Sequence, residues 1–270
     1  MKACLNGATT MPYTFQQDII AAGKAGFAGV EIWWPKLRAY LKTHSTQEAK
    51  ALLDDNNVKP VGLCPLLIWP FRDTEEARQS FREAVEVAPQ IGCDLVIICP
   101  DFQPATMTRE EALAAHAREV AQMAALAADH KLRLAIEPIG QHTLVPGPSE
   151  ALKLIQMIGS PAHVGVLLDT FHYFKSRVLD AEIKAIPINK LYVVHLNDCE
   201  NRPLDELKDE HRLYPTLGVI PLKQRLSLLR DMGYDGFVSV EIFRPEYWQQ
   251  PADEIAHDSL FYFRKLMQTL

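Results

Sequence analysis

The segment "VGVLLDTFHYFKS", residues 164–176, contains a strand-like run that ends on an acidic residue. The five residues 164–168 are small or apolar, which is typical of a strand buried inside a parallel sheet. Asp169 follows them directly, and His172 comes three residues later. Because an unpaired buried carboxylate is costly, this pattern predicts that Asp169 has a partner at the end of the strand.

Seven further apolar runs of strand length occur along the chain. They lie near residues 3, 29, 59, 94, 133, 190 and 237. Segments of helical length separate most of them, and this alternation predicts a parallel sheet built of βα units. Eight such units in 270 residues favour an α/β fold with one (β/α)₈ TIM barrel that occupies residues 1–270 as a single domain.

The predicted helices carry recognisable start and stop signals. Thr14 with Gln17, and Thr108 with Glu111, have the spacing of a capping box. Ser149 is predicted as the N-cap of the helix that follows it, and the glycine at 159 as its stop.

Composition excludes several classes of function. A net charge of -6 argues against nucleic acid as the main partner. No apolar run is long enough to cross a membrane, and the first residues lack the apolar segment of a secretory signal, so we expect a cytoplasmic protein. The cysteines are odd in number and show no CxxC spacing, which predicts reduced thiols: Cys4, Cys64, Cys93, Cys99 and Cys199.

Polar residues end four consecutive predicted strands. These are Glu137 on the fifth strand, Asp169 on the sixth, His195 on the seventh and Glu241 on the eighth. Side chains alternate along a strand, so residues such as Ala135 and Leu167 share the inner face with these groups. In a (β/α)₈ barrel the carboxyl ends of the strands carry the chemistry, and the pattern brings three carboxylates and one imidazole to one rim.

Three carboxylates in one place repel each other, and a divalent cation relieves that repulsion. An oxygen-rich set with one imidazole favours Mn²⁺, with Mg²⁺, Co²⁺ and Zn²⁺ also compatible. A single strand-end acid is more often a helix cap or a salt-bridge partner, but three acids and one histidine on adjacent strands are hard to explain as caps. The sequence therefore predicts one divalent metal held by Glu137, Asp169, His195 and Glu241. Glu31, another strand-end acid, is left open between a buried salt bridge and a role in this site.

Several segments carry a family resemblance. "LAIEP", "LLDTFH", "VVHLND" and "VSVEIFRPEYW" resemble the xylose-isomerase-like TIM barrels, and the resemblance covers nearly the whole chain. The segments "MKACLNGATT" and "EIWWPKLRAYLKTHS" are most similar to members that isomerise an inosose, the ketone of a cyclic polyol. The resemblance implies the same four metal ligands.

The resemblance also implies a reaction. A metal-dependent isomerase of a cyclic polyol ketone or sugar would act through an enediolate, with Glu137 and Glu241 as proton-transfer groups. His172 is a candidate substrate contact, with packing in the first turn of a helix as the alternative. Further candidate substrate contacts follow the strand ends: Trp33, Trp69, Gln141, Arg202 and Arg244.

Two departures from the family pattern bear on the substrate. Gln141 stands four residues after Glu137, where the isomerase pattern places a histidine, and "YPTLGVIPL" lacks the usual Gly-x-Gly. Ketose 3-epimerases, hydroxypyruvate-type isomerases and sugar or inosose dehydratases of this fold therefore remain alternatives. All imply a small-molecule polyol or sugar as partner. Homo-oligomers are common among such barrels, and the sequence leaves the oligomeric state open.

DNA repair of the endonuclease IV type is a remote alternative. Asp209 and His211 have the D-x-H spacing of further zinc ligands in that enzyme, but they also suit a solvent-facing charged loop. The third and fourth predicted strands end without the histidines that a three-metal cluster needs. The long irregular segment 197–222 is expected to be functional, because loops of this length inside a compact fold usually are.

Overall fold

Parallel strands close into a barrel in this computed structural model, which describes residues 1–142 and 144–270. The strands in these residues are β1 (Lys2–Asn6), β2 (Gly29–Trp33), β3 (Lys59–Ile68), β4 (Leu95–Pro100), β5 (Arg133–Ile136), β6 (Val164–Asp169), β7 (Leu191–Leu196), β8 (Asp198–Cys199), β9 (Arg212–Leu213) and β10 (Phe237–Val240). The barrel runs in the order β1-β10-β7-β6-β5-β4-β3-β2, and β8 pairs separately with β9. The predicted TIM barrel is confirmed.

Helices surround the barrel and connect its strands. Within the described ranges they are α1 (Phe15–Ala25), α2 (Trp34–Tyr40), α3 (Thr46–Asp55), α4 (Thr74–Val87), α5 (Arg109–Asp129), α6 (Pro148–Met157), α7 (Thr170–Lys175), α8 (Asp180–Lys184), α9 (Leu222–Asp231) and α10 (Ala252–Met267). Neither these helices nor the short 3₁₀ turns of the described chain are long and apolar enough to cross a bilayer.

The capping boxes of α1 and α5 are confirmed, with Thr14 and Thr108 as the N-caps. The N-cap predicted for α6 is wrong, because Gly147 occupies that position and the helix begins at Pro148. Proline suits the first helical position, since its missing N–H has no partner there in any helix. Ser149 lies inside the first turn and donates from its hydroxyl to Oε1 of Glu182 at 3.0 Å.

The alternation predicted for the strands is confirmed by two separate apolar clusters. Ala135, Leu167 and Val193 belong to the small cluster that fills the barrel interior. Leu134 and Val240 belong to the large cluster between barrel and helices. This parity points the residues that follow or end β5, β6, β7 and β10 toward the barrel axis at the carboxyl-terminal rim.

The segment 197–222 is folded against the rim. Strand β8 pairs antiparallel with β9, so that Cys199 faces Arg212. The buried carboxylate of Asp198 accepts backbone N–H groups from Gly218 and Ile220, each at 2.9 Å. These bonds fix both ends of a hairpin that extends over the mouth of the barrel.

Gly165 supplies a test of packing inside the barrel. A Cβ at this position in β6 would lie 2.3 Å from the carbonyl oxygen of Lys190 and 2.7 Å from the ring of Tyr192. Because backbone must move to make room, we expect Gly165→Ala to lower the free energy of unfolding by about 1–3 kcal/mol, measured by urea denaturation. Gly62→Ala is the matched control, since the nearest atoms to its Cβ belong to side chains, Cδ1 of Ile97 at 3.1 Å and Cδ2 of Leu95 at 3.5 Å. Equal losses in both variants would contradict this account.

Candidate metal centre

The four residues predicted as metal ligands meet at the carboxyl-terminal rim. Asp169 ends β6 and His195 lies in β7, while Glu137 and Glu241 directly follow β5 and β10. One ligand atom of each side chain lies within 4.8 Å of the others, and all four residues are buried. The four strands are close in the barrel order, so their ends bring these side chains together without any long loop. We call this set the four-residue centre.

His195 presents one ring nitrogen to the centre and uses the other to bind a carboxylate. Its Nε2 lies 2.8 Å from Oε1 and 3.0 Å from Oε2 of Glu31. Its Nδ1 lies 3.1 Å from both Oε1 of Glu137 and Oε2 of Glu241. An Nε2–H that donates to Glu31 leaves the lone pair of Nδ1 available, as in metal-binding histidines that a carboxylate orients.

Asp169 uses its two oxygens for different contacts. Oδ1 accepts the backbone N–H of His172 at 2.8 Å and caps α7. Oδ2 accepts from Nδ2 of Asn197 at 3.2 Å and from Nη1 of Arg212 at 2.9 Å. The carboxylate at the end of the opening segment is therefore a helix cap and a member of the centre at the same time.

Arg212 places a guanidinium among the carboxylates. Its side chain is 1% exposed and reaches the centre from β9, in the hairpin over the barrel. Besides Asp169, Nη1 binds Oε2 of Glu241 at 2.7 Å. Nη2 lies 3.1 Å from Nε2 of His172. Arg212 thus connects two members of the centre to a histidine at its edge.

Two asparagine amides orient the carboxylates. Asn6 ends β1 and donates from Nδ2 to Oε1 of Glu31 at 2.8 Å and to Oε1 of Glu241 at 3.3 Å. Asn197 directly follows β7, and its amide binds Oδ2 of Asp169. Neutral donors fix the positions of the oxygens without neutralising their charge.

Acidic groups outnumber basic groups in and around the four-residue centre. Its three carboxylates and that of Glu31 are buried, and they face one guanidinium and the imidazole of His195. Burial opposes ionisation of Asp169, but Arg212 holds its pKa well below the usual range. Burial raises the pKa of Glu241. Burial also opposes charge on His195, yet the neighbouring carboxylates raise its pKa well above the usual value. A divalent cation accepts three carboxylates and one imidazole, so the residues present fit such an ion.

His172 lies at the edge of the centre and is 7% exposed. Its Nε2 faces Arg212, while its Nδ1 is buried and has no hydrogen-bond partner within residues 1–142 and 144–270. A buried ring nitrogen of this kind is a group that a bound molecule can satisfy. The position is consistent with the predicted substrate contact.

The predicted tryptophans lie outside the centre. Trp33 meets Phe243 edge-on, with ring centroids 5.7 Å apart. Phe243 in turn covers Arg212, whose guanidinium carbon lies 5.1 Å from the ring centroid. The ring of Phe243 therefore lies between Trp33 and the guanidinium of Arg212. Trp69 stacks instead under the guanidinium of Arg72 at 4.6 Å.

The remaining predicted substrate contacts are not brought to the carboxylates. Arg202 is exposed and donates to Oε2 of Glu200 at 2.6 Å. Arg244 donates to Oε1 of the same Glu200 at 2.8 Å. Gln141 is exposed, and its backbone N–H donates to the hydroxyl of Ser176 at 2.8 Å. Both arginine side chains thus bind Glu200, and the backbone of Gln141 binds Ser176.

The D-x-H pair of the hairpin does not extend the centre. Asp209 binds Arg212 through Oδ1, at 3.0 Å from Nε and 2.7 Å from Nη2. His211 accepts the backbone N–H of Lys208 through Nδ1 at 3.1 Å. Asp209 positions the guanidinium from outside, and His211 closes a local turn.

Sequence reasoning missed three groups at the centre and left a fourth open. Asn6 and Asn197 each follow an apolar run at a strand end, so the signal that identified the ligands applies to them as well. Glu31 has His195 and Asn6 as partners rather than a lysine or arginine, which places it in the site. Arg212 carries no such local signal, because only the pairing of β8 with β9 directs it inward.

Comparison with known proteins places these features in context. Residues 19–266 match the family model described as xylose isomerase-like TIM barrel. An inosose isomerase from Halalkalibacterium halodurans is 31% identical over 260 residues, which cover 94% of this chain and 92% of that protein. A 3-dehydroshikimate dehydratase from Pseudomonas putida is 26% identical over 92% of this chain but only 39% of its own length. These matches confirm the resemblance seen in the sequence.

A solved structure is also similar throughout. The crystal structure of the IOLI protein with a binding zinc atom superimposes with a TM-score of 0.92 and 27% identity. The similarity covers 99% of this chain and 98% of that one.

Glu31 offers a test of the centre that leaves its four members unchanged. We expect Glu31→Gln to weaken binding of Zn²⁺ or Mn²⁺ to the metal-free protein by roughly 10–100-fold, because the carboxylate orients the ring of His195. Titration calorimetry measures this. Glu119→Gln is the control, since that buried carboxylate pairs with Arg78 and not with the centre. Unchanged affinity in Glu31→Gln would show that Glu31 does not orient a metal ligand.

Proposed function

We propose that this chain, which belongs to the xylose isomerase-like TIM barrel family, is a divalent-metal-dependent isomerase of a cyclic polyol ketone. The inosose isomerase relative supports the substrate class, because it matches this chain over almost its entire length. The metal role of Glu137, Asp169, His195 and Glu241 is part of the proposal. When bound, a divalent cation supplies Lewis-acid chemistry that stabilises negative charge developing on a substrate oxygen.

One observation carries the proposal: two carboxylates approach the same point from different sides of the barrel. Glu137 follows β5 and Glu241 follows β10, with β6 and β7 between them in the barrel order. Each carboxylate has an oxygen 3.1 Å from Nδ1 of His195. A substrate held between them has one possible base on each side, so a proton can be removed and returned on the same face or on opposite faces.

The proton steps then follow. One of the two glutamates takes the proton from the carbon next to the carbonyl, which leaves the substrate as an enediolate. The same glutamate or the other returns a proton to the former carbonyl carbon. The hydroxyl proton passes to the former carbonyl oxygen, so the carbonyl and hydroxyl groups exchange places. Buried groups around the pair exclude water, which strengthens each electrostatic contact.

His172 and Arg212 stabilise negative charge on the oxygen atoms of the substrate in this proposal. The guanidinium keeps donor groups near Asp169 and Glu241, and the free Nδ1 of His172 lies buried beside it. The Nδ1–H of His172 can therefore donate to an oxygen that gains charge as the enediolate forms. The five N–H groups of Arg212 already have protein partners, so the guanidinium acts on that oxygen through its positive charge. Trp33 and Phe243 supply an apolar surface at the side of Arg212, which suits the faces of a polyol ring.

A solvent-exchange assay tests the function. Metal is removed with a chelator and restored as Mn²⁺ or Zn²⁺, and 2-keto-myo-inositol is added in D₂O. We expect metal-dependent incorporation of deuterium next to the carbonyl and the appearance of a positional keto isomer, both followed by NMR. Exchange with no isomer would shift the assignment to an epimerase, with ketoses such as fructose and tagatose as the next substrates. Absence of exchange with all of them would overturn proton transfer as the function.

Variants at the edge of the centre separate catalysis from metal binding. We expect Arg212→Lys, which lacks the planar fork, and His172→Gln, which lacks the Nδ1 donor, to lower kcat by about 10²–10³-fold, as loss of oxyanion stabilisation does elsewhere. Metal affinity, measured by calorimetry, should be retained in His172→Gln, because the ring of His172 contacts Arg212 and not one of the four proposed ligands. Arg78→Lys is the control, since Arg78 pairs with Glu119 between helices. Full activity in both edge variants would remove them from the mechanism.

Dehydration is the second candidate, and the 3-dehydroshikimate dehydratase relative favours it. An enediolate that carries a hydroxyl on the next carbon can expel it as water, so the same first proton transfer serves both outcomes. 3-Dehydroshikimate in the same assay distinguishes them, because loss of water produces a conjugated compound that absorbs ultraviolet light. Turnover of this substrate with none of the inosose would replace the isomerase by the dehydratase.

A further inference from the structure

Two cysteine thiols lie beside one member of the four-residue centre. Cys64 belongs to β3 and Cys99 to β4, which are adjacent strands of the barrel. The Sγ of Cys99 lies 3.3 Å from Oε2 of Glu137. The other oxygen of Glu137, Oε1, faces His195 at 3.1 Å. The two oxygens of Glu137 therefore face two different groups of ligand atoms.

The geometry points to a second metal site formed by Cys64, Cys99 and Glu137. We propose that these residues bind a thiophilic divalent cation such as Zn²⁺, with Glu137 shared between this site and the four-residue centre. The sulfur atoms of both cysteines and a carboxylate oxygen of Glu137 lie within 4.8 Å of one another. Two thiolates on one tetrahedral Zn²⁺ stand about 3.8 Å apart, so only a small adjustment brings all three to bonding distance.

The other cysteines with an assigned contact show what a packing role looks like in this chain. The thiols of Cys4 and Cys93 each contact a nearby backbone carbonyl, that of Leu5 at 3.7 Å and that of Leu95 at 3.3 Å. Cys64 and Cys99 instead face each other and a carboxylate, which is a set of soft and hard donors that Zn²⁺ accepts.

Access to the proposed site is also present. Cys64 and Glu137 are buried, but Cys99 is partly exposed. A cation can therefore enter from the mouth of the barrel, and a solvent molecule can complete its coordination. The inference does not depend on the isomerase reaction, because it uses only the positions of these three side chains.

Cobalt titration of the full-length, reduced, metal-free protein tests the inference. Co²⁺ bound to thiolate gives a charge-transfer band in the near ultraviolet, whereas Co²⁺ bound only to oxygen and nitrogen does not. We expect two equivalents of Co²⁺ per chain and a thiolate band. The double variant Cys64→Ser/Cys99→Ser should lose the band and keep one equivalent. Cys93→Ser is the matched control and should behave like the unaltered protein.

Two outcomes would overturn the second site: no thiolate band in the unaltered protein, or a band that survives in the double variant. A thermal melt of each variant checks that it is folded, and thiol counting before titration checks that the cysteines are reduced.

Asp169→Asn separates this inference from the proposed function, because Asp169 belongs only to the four-residue centre. We expect that variant to keep the thiolate band and to lose the metal-dependent deuterium exchange. A band in the unaltered protein together with no exchange activity in that same protein would support the second site while contradicting the proposed reaction.

Discussion

Buried negative charge is the constraint on which the rest of this structure depends. Four carboxylates that cannot reach bulk water lie at one end of the barrel, and each must be stabilised by donors or cations. Arg212 supplies a fixed positive charge, His195 an imidazole, and Asn6 and Asn197 supply amides. Oδ2 of Asp169 accepts from both Asn197 and Arg212, and Oε1 of Glu31 contacts both Asn6 and His195, so these groups stabilise the carboxylates as a set.

This constraint explains how the chain outside the barrel is arranged. The hairpin over the mouth of the barrel directs Arg212 inward. Asp198 stabilises this conformation by accepting backbone N–H groups from Gly218 and Ile220. Helix α7 begins on a carboxylate that also serves the centre, so the position of the helix and the position of the charge are linked through Asp169. The rim is thus a network in which helix ends, strand ends and one hairpin share the same few polar atoms.

Sequence alone predicted the parts of this network that depend on local pattern. Short apolar runs located the strands, and polar residues at their ends located the four-residue centre, because parallel strands bring their carboxyl ends to one rim. The alternation of side chains along a strand then predicted which of them face inward. Arg212 was not predicted, because a hairpin pairing decides its direction and that pairing leaves no periodic signal. The cap of α6 was misplaced for a similar reason: Pro148 and Ser149 are both acceptable at a helix start, and the contact of Ser149 with Glu182 lies outside the local sequence.

Among the candidate substrate contacts, a position after a strand end did not determine where the side chain lies. Arg202 and Arg244 follow strand ends as the ligands do, but Glu200 binds both of them and keeps them from the carboxylates. A long side chain in a loop has many accessible partners, so spacing from a strand end does not fix where its charge lies. A short side chain at the strand end itself, such as that of Asp169, can reach far fewer partners.

The origin of Arg212 has a consequence for how proteins of this kind can diverge. The four-residue centre is built by barrel strands, where insertions would disturb the closed sheet, whereas the guanidinium arrives on a surface hairpin between β7 and α9. Hairpins of this kind tolerate changes of length and sequence better than strands do. Related enzymes can therefore keep one inherited set of acidic groups and acquire a different preference among substrates by exchanging a single surface segment.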